Sequence, residues 1–195
     1  MQDLHNIKAL QERIALFEDM DAYKTVYLHY FNGLQRFVTS FVKSKEVSEE
    51  IVSDVFIKIW QIRNRLMEIE NLRVYLYTIA RNFSLNYIQR SQKNPPKSFE
   101  ELGFDPPLQW NSPEDQLISS EIRNRIQQAI HQLPNQCRII FHLVKEDGRS
   151  YKEAADILQV SPLTIRNQLA IAVKKMAAAL PDLSASSKLE SKTKS

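Results

Sequence analysis

The sequence predicts an all-α protein of two small helical domains joined by an acidic, proline-containing linker, the second domain being a helix-turn-helix (winged-helix-like) domain. Three observations lead to this prediction. Glycine occurs only three times in 195 residues, long stretches contain neither glycine nor proline, and apolar residues recur at helical spacing. We expect the first domain at 1–92, the linker at 93–116, the second domain at 117–182 and a disordered tail at 183–195.

Composition narrows the classes of function. The net charge of +3 is mildly basic, which permits a nucleic-acid partner without requiring one. The single cysteine, Cys137, excludes an intramolecular disulfide and fits a reducing compartment; we expect it to be a small buried hydrophobe. The polar start and the lack of an apolar run of about 20 residues predict no signal peptide and no membrane insertion. The expected location is the cytoplasm.

Two amphipathic helices are predicted first, at residues 4–17 and 21–42. The second carries a stripe of aromatic residues, which we interpret as core. Gly33 inside this helix lowers its intrinsic stability, so it predicts the close approach of another helix.

A third helix is expected to begin at Ser48 as its N-cap, with acidic residues in its first turn. Its periodicity places Ile57 on the outward face beside Asp54 and Gln61, with Trp60 at the margin of that face. This face has two possible interpretations. It is an ordinary surface, on which an exposed Ile is common, or it is a protein-docking face, for which an apolar and aromatic group is typical.

The next helix, predicted at residues 71–90, follows a polar loop at 63–70. No acidic residue occurs from Asn71 to Phe99. The predicted apolar face consists of Leu72, Leu76, Ile79, Ala80, Phe83 and Tyr87, and the polar stripe beside it of Tyr75, Thr78, Asn82, Asn86 and Gln89. Such a surface suits phosphates and unstacked bases, although a solvated polar face would have the same pattern.

The segment from Lys97 to Arg123 is acidic between its two ends and is rich in proline. This composition predicts an extended linker between two helical domains. Its apolar residues predict that it docks on protein, because an acidic segment has no affinity of its own for DNA.

The segment from Ser150 to Ala170 predicts the helix-turn-helix. Ser150 and Glu153 have capping-box spacing, and Pro162 after Ser161 is typical of a helix start. Gln159 occupies the turn, where we expect a positive φ. The residues left outward at the tip of the second helix are Leu163, Thr164, Arg166, Asn167 and Gln168. This geometry suits the major groove of DNA. An ordinary helical hairpin with a solvated tip would have the same sequence pattern.

Four segments in fixed order carry a resemblance to a known family: EEIVSDVFIKIW, NLRVYLYTIARNFSLNYIQR, QLPNQCRIIFHL and SYKEAADILQVSPLTIRNQLAIAVKKM. Together they resemble the small, two-domain extracytoplasmic-function (ECF) sigma factors, of the sigma-70 family, of bacterial RNA polymerase. The resemblance covers roughly residues 20 to 180. The sequence departs from the family pattern at Gln159, where glycine is usual, at Pro162, and at Ala154.

The resemblance implies partners and residue roles. Core RNA polymerase would dock through the clamp helices of its largest subunit, on Asp54, Ile57, Lys58, Trp60 and Gln61. The melted minus-10 element of promoter DNA, with one base flipped into a protein pocket, would meet Arg73, Tyr75, Thr78, Arg81, Asn82 and Asn86. The duplex minus-35 element would meet Ser161, Leu163, Thr164, Arg166, Asn167, Lys174 and Lys175. An anti-sigma factor, often membrane-bound in the family, is a further implied partner.

Two other functions agree less well with the sequence. A conventional helix-turn-helix regulator that binds only duplex DNA would share the second domain, but it has no use for the acid-free polar stripe. An enzyme is disfavoured because His5, His29, His131 and His142 show no metal-ligand spacing and no nucleophile–base set is indicated. We therefore expect no catalytic residue, no cofactor and no metal.

Overall fold

The computed structural model describes residues 2–42, 44–91, 99, 125–126, 128–130 and 132–180. Of the predicted linker only Phe99 is included, and the predicted tail lies outside the described residues. The helices are α1 Gln2–Phe17, α2 Met20–Val42, α3 Lys45–Gln61, a 3-10 segment Arg63–Glu68, α4 Leu72–Ser91, α5 Asn135–Phe141, a π-helical turn His142–Glu146, α6 Tyr151–Leu158 and α7 Pro162–Ala179. No strand occurs in these ranges, and the all-α prediction is confirmed.

The first four helices and the helix-turn-helix share one hydrophobic core. Helix α4 packs against α2 and α3 on one side and against α6 on the other, while α5 contacts α2. Buried residues of the second domain, among them Ile140, Leu143 and Ile157, belong to the same cluster as Leu34 and Leu76. The sequence pattern predicted two domains, but it did not predict that they would pack directly on one another.

The glycine inside α2 is required by close packing, as predicted. A Cβ atom built on Gly33 would lie 2.5 Å from the hydroxyl oxygen of Tyr77 in α4, well inside van der Waals contact. The absence of a side chain at this position therefore lets the Tyr77 hydroxyl pass α2 and reach Asp147 in the second domain.

The start of α3 was predicted one turn too late. The helix begins at Lys45, and its N-cap is Ser44, whose hydroxyl accepts a hydrogen bond from the Val47 amide. The expected cap, Ser48, is instead buried inside the helix and donates to the Lys45 carbonyl at 2.7 Å. Both serines precede acidic residues, so cap preference alone does not distinguish them.

The predicted polar loop at 63–70 is partly helical. A 3-10 segment brings Leu66 into the core with no exposed surface. Gln11 of α1 holds this segment, since its amide nitrogen donates to the carbonyls of Leu66 at 2.7 Å and Ile69 at 3.0 Å. The loop that leads into α4 is therefore anchored by side-chain to backbone bonds.

The apolar face of α4 was only partly predicted. Leu72, Leu76 and Ala80 are buried as expected, but Tyr87 is 38 % exposed. The buried residues that the pattern missed are Tyr77, Arg81, Ser84, Leu85 and Ile88. A single-face pattern fails here because α4 is covered from two sides, by the first domain and by α6.

The helix-turn-helix forms as its caps predict. The Ser150 hydroxyl accepts from the Glu153 amide at 3.1 Å, and the Glu153 carboxylate accepts from the Ser150 amide at 3.0 Å. Gln159 in the turn has a φ of 56°, in the left-handed region. The Ser161 hydroxyl then caps α7 by accepting from the Thr164 amide.

Parts of the second domain differ from prediction. Apolar spacing predicts one helix from Asn135 to Lys145, but the α-helix ends at Phe141 and continues as a π-helical turn. The same spacing predicts inward positions for Tyr151 and Val173, but these side chains are 44 % and 45 % exposed. Cys137 is buried, as expected, and its thiol contacts the Gln168 side-chain oxygen at 3.0 Å.

The capping box gives a stability prediction. Ser150→Ala removes the acceptor for the Glu153 amide, so the free energy of unfolding should fall by about 1 kcal/mol. Urea unfolding followed by circular dichroism measures the change. Ser53→Ala, at an exposed position inside α3, is the matched control and should not destabilise the chain, because alanine is the better helix former. Equal stability of the Ser150→Ala chain and the wild type would contradict the cap.

Candidate nucleic-acid interface

The outward face of α3 is arranged as predicted. Ile57 is 53 % exposed, and Asp54, Lys58 and Gln61 beside it are exposed as well. Trp60 is half-buried against the Tyr23 ring, with centroids 5.1 Å apart. The face therefore presents an aliphatic side chain among polar ones, next to an aromatic ring that is held in place.

A further exposed apolar group was not predicted. Leu16, Phe17 and Met20 form the corner between α1 and α2, and Phe17 is 74 % exposed. Helical periodicity places Phe17 on the stripe of Leu10 and Ile14, both of which are buried. Phe17 is the last residue of the helix, and its ring lies outside the core. The spacing of apolar residues in α1 does not indicate this exposure.

An ion pair links this corner to the face of α3. The Arg63 guanidinium bonds the Glu18 carboxylate at 2.7 Å and lies over the Trp60 ring at 5.1 Å from its centroid. A cation over the face of an aromatic ring is attracted to it electrostatically. Together, Glu18 and Arg63 fix the orientation of Trp60 at the edge of the exposed surface.

The polar stripe of α4 is divided by exposure. Asn82 and Asn86 are exposed and Tyr75 is half-buried. Thr78 is also half-buried, and its hydroxyl donates to the Val74 carbonyl at 2.8 Å. Gln89, the last residue of the stripe, is exposed as well. The three amides are therefore the groups of this stripe that are most open to a ligand.

Arg81 lies in a different environment from the one expected for a phosphate contact. Its side chain is buried, and Nη1 donates to the side-chain oxygens of Asn82 at 2.8 Å and Gln159 at 2.9 Å. Gln159 belongs to the turn of the helix-turn-helix. The positive charge of Arg81 is thus covered by the second domain.

A small pocket of mixed character lies at the start of α4, and we call it the polar pocket after the charged and amide groups at its rim. Its lining from the first domain consists of Ile7, Lys8, Gln11, Tyr30, Glu70, Asn71, Leu72 and Arg73, and its lining from α6 is Glu153. Burial raises the pKa of Glu153, but hydrogen bonds from Ser150 and Asn71 outweigh it, so the pKa is lowered overall. Glu153 thus sits as a carboxylate beside Asn71, on the side of the pocket that faces the second domain.

A second polar contact joins the domains at Asp147. The Tyr77 hydroxyl donates to one Asp147 oxygen at 2.8 Å, and Arg36 approaches the other at 3.5 Å. Burial, followed by the nearby negative charge of Asp147, raises the pKa of Tyr77 far above its usual range. The hydroxyl therefore stays protonated and remains a donor.

The tip of the helix-turn-helix is open. Leu163, Arg166 and Asn167 are exposed at the start of α7, and Thr164 is half-buried. Lys174 lies seven residues after Asn167 and is exposed like Lys175, so it falls on the same stripe about 10 Å further along the helix. The hydroxyl of Ser161 is occupied as the helix cap.

Among the described residues, no group of three His, Cys, Asp or Glu side chains is placed to hold a metal ion. No helix in the same part of the chain is long and apolar enough to cross a membrane.

Comparisons with known proteins agree with this arrangement. Residues 26–94 match Sigma-70 region 2, and residues 123–176 match Sigma-70, region 4. The ECF RNA polymerase sigma-E factor of Escherichia coli (strain K12) is 27 % identical over 160 residues, which cover 77 % of this chain and 82 % of the relative. The RNA polymerase sigma-H factor of Pseudomonas aeruginosa is 26 % identical over 158 residues, with the same coverage.

Two solved structures share the fold. One is the sigma factor RpoE in complex with the anti-sigma factor NepR from Bartonella quintana, with a TM-score of 0.54, 23 % identity and coverage of 82 % of this chain and 97 % of that one. The other is CnrH in complex with the cytosolic domain of CnrY, with a TM-score of 0.59, 17 % identity and coverage of 90 % and 97 %. The chain belongs to the ECF group of the sigma-70 family and is an RNA polymerase sigma factor that directs promoter recognition.

Proposed function

We propose that this sigma factor reads its promoter with two surfaces, α4 on the melted minus-10 element and the start of α7 on the duplex minus-35 element. The observation that carries this proposal is the row of exposed amides, Asn82 and Asn86, on a helix in a segment without acidic residues. A protein that binds only duplex DNA has no use for such a row. Amide side chains suit the hydrogen-bonding edges of unpaired bases.

The pocket at the start of α4 fits the same role. Glu70, Asn71 and Arg73 line it with a carboxylate, an amide and a guanidinium, which are groups that hydrogen-bond base edges. Arg73 also has a buried Nε without a hydrogen-bond partner among the described residues, which favours a ligand that supplies an acceptor. We assign this pocket to one flipped base of the melted strand.

The minus-35 surface combines base-edge and phosphate groups. Arg166 and Asn167 at the helix tip suit base edges in the major groove. Lys174 and Lys175 lie further along the helix, where they suit phosphates of the flanking backbone. Leu163 and Thr164 add apolar contacts beside them, and Ser161 holds the helix start in place.

The outward face of α3 is the proposed docking surface for core polymerase. Ile57 and Trp60 supply the apolar centre, and Asp54, Lys58 and Gln61 supply the polar rim that such interfaces have. The partner surface is the pair of clamp helices on the largest polymerase subunit. On this proposal the chain has no catalytic residue, uses no cofactor and acts in the cytoplasm, where it meets core polymerase.

An anti-sigma protein is the second proposed protein partner. The two solved structures that share the fold were determined with NepR, named as an anti-sigma factor, and with the cytosolic domain of CnrY. Exposed apolar residues at the α1–α2 corner and on α3 are suitable for burial in such a complex.

The docking surface gives the next prediction. Ile57→Glu should weaken binding to core RNA polymerase by about 2 kcal/mol or more, because it places a charge at the apolar centre of the interface. Fluorescence anisotropy with labelled full-length protein measures binding, and circular dichroism checks the fold. Leu28→Glu is the matched control, since Leu28 is an exposed leucine of α2 outside the proposed face. Equal affinities of the Ile57→Glu chain and the wild type would remove α3 from the interface.

The minus-35 surface gives a prediction about sequence preference. Asn167→Ala should cost about 1–3 kcal/mol on the preferred site and relax the choice of base at one position. Lys174→Ala, on the same helical stripe, should instead weaken binding by a similar factor for all DNA sequences. It should also reduce the slope of log affinity against log salt concentration by about one. Selection from randomised upstream sites distinguishes the two effects. An unchanged preferred sequence for Asn167→Ala would exclude base reading by this residue.

The minus-10 surface gives a prediction about melting. Asn82→Ala should impair open-complex formation on a duplex promoter. It should impair it less on a template that is already melted, because the free energy of unpairing is not required there. Permanganate footprinting of a promoter selected from a genomic library measures this. Gln128→Ala, an exposed amide of the second domain outside both proposed DNA surfaces, is the control. If Asn82→Ala melts duplex promoters as wild type does, the base contact lies elsewhere.

A further inference from the structure

Helix α1 holds the segment that leads into α4. It packs on the 3-10 segment and on α2, and its Leu10 and Ile14 are buried. The match to Sigma-70 region 2 begins only at residue 26, so it assigns no role to α1. The role of this helix therefore depends on what its own side chains contact.

Gln11 is a polar side chain of α1 that reaches this segment from inside the fold. It is 1 % exposed, and its Nε2 donates to the carbonyls of Leu66 at 2.7 Å and Ile69 at 3.0 Å. An amide nitrogen carries two hydrogens, and each has an acceptor here. The reversed amide would place its oxygen against two carbonyl oxygens, so the orientation of the amide is fixed.

Lys8 adds to this attachment from the surface of the helix. It lies one turn before Gln11, and its Nζ donates to the Ile69 carbonyl at 3.1 Å. Two residues after Ile69, the Asn71 side chain accepts from the Val74 amide at 3.1 Å in the first turn of α4. The bonds from α1 therefore fix the backbone directly before the start of α4.

The same two side chains of α1 line the polar pocket. Lys8 and Gln11 belong to the lining of this cavity of about 110 Å³, together with Glu70, Asn71 and Arg73. Glu70 directly follows the carbonyl that α1 holds, so a shift of that carbonyl would move Glu70 and Asn71 relative to Arg73. The geometry of the pocket is thus linked to α1 through the backbone.

The polar pocket suits a ligand that both donates and accepts hydrogen bonds. The Oε1 of Gln11 is buried without a hydrogen-bond partner among the described residues, and the Nε of Arg73 is in the same state. Buried polar groups generally have partners, so an unmet acceptor and an unmet donor in one lining favour a ligand with both kinds of group. The edge of a nucleobase has this pattern, whereas the oxygens of a DNA phosphate only accept.

We propose that Gln11 is a positioning residue for base recognition, which sets the base preference of the polar pocket by holding the carbonyls of Leu66 and Ile69. The role rests on the proposed assignment of one flipped base to this pocket. A site discriminates between bases only when its hydrogen-bonding groups are held in place. Release of this backbone from α1 should therefore relax the choice of base at one promoter position and leave the other positions unchanged.

Gln11→Leu tests this role without leaving a carbonyl unpaired. The variant removes both bonds, but the Leu66 carbonyl still accepts from the Ile69 amide at 3.2 Å, and the Ile69 carbonyl still accepts from Lys8. It also removes the unmet oxygen of the amide, so we expect the chain to fold. Lys8→Met is a second variant, at an exposed position where the substitution does not disturb the core.

The experiment uses full-length protein, core RNA polymerase and a promoter that the wild type selects from a genomic library. The minus-10 element is randomised, and the DNA in open complexes is recovered on immobilised polymerase and sequenced. Arg73→Ala identifies the position that the pocket reads, because Arg73 lines the pocket. Gln11→Leu should lower the preference for the best base at that same position about tenfold, the size expected for one base-edge contact. Lys8→Met should lower it less.

Two control variants distinguish positioning from stability. Glu12→Gln changes an exposed side chain of α1 next to Gln11, and Ile51→Val removes one buried carbon atom from α3. Both should leave the base preference unchanged at every position, although Ile51→Val destabilises the chain. Urea unfolding of each variant measures the loss of stability with which the base preferences are compared.

The outcomes distinguish the role of Gln11 from the proposed function. If Arg73→Ala relaxes one position and neither Gln11→Leu nor Lys8→Met changes it, the role of Gln11 is wrong and the pocket assignment stands. A loss of preference spread over all positions, as a weakened fold would cause, also overturns the role. If Arg73→Ala relaxes no position, the pocket does not read a base, and the assignment and the role both fail. If Gln11→Leu does not fold, the result for Lys8→Met decides.

Discussion

The packing of α4 between the first domain and α6 is the constraint on which the rest of the structure depends. One side of α4 completes the core with α2 and α3, and the other receives the helix-turn-helix. Polar groups along this second contact, Tyr77 with Asp147 and Arg81 with Gln159, are paired across the domains. Because buried polar groups must find partners, Arg81, for which the family resemblance implies a contact with nucleic acid, is satisfied by protein in its absence.

The two proposed DNA-reading surfaces consequently differ in their exposure. The tip of α7, with Arg166 and Asn167, is exposed while the domains are together, so duplex contact requires no rearrangement. On α4, by contrast, Arg81 is buried and the polar pocket is flanked by Glu153. A contact of Arg81 with nucleic acid would therefore require Gln159 to move away from it.

Local features were predictable from the sequence because they depend on short-range chemistry. The capping box at Ser150 and Glu153 and the outward Ile57 follow from spacing and side-chain type, and the left-handed Gln159 follows from its place in the turn. The burial of Arg81 was not predictable, since it depends on a contact with a residue 78 positions away. The same holds for Tyr77, whose partner lies in the second domain. Family resemblance supplied roles for residues, but the contact between the domains required the structure.

The most direct test of this account is the distance between the domains in the free and the polymerase-bound protein. Spin labels at Glu12→Cys in α1 and Ala178→Cys in α7, both exposed positions, in a Cys137→Ser background, allow double electron–electron resonance to measure it. The account predicts one short, narrow distance distribution for the free protein and a shift to longer distance with core polymerase and promoter DNA, because α4 and α7 then lie on different promoter elements. An identical short distance in both states would contradict it.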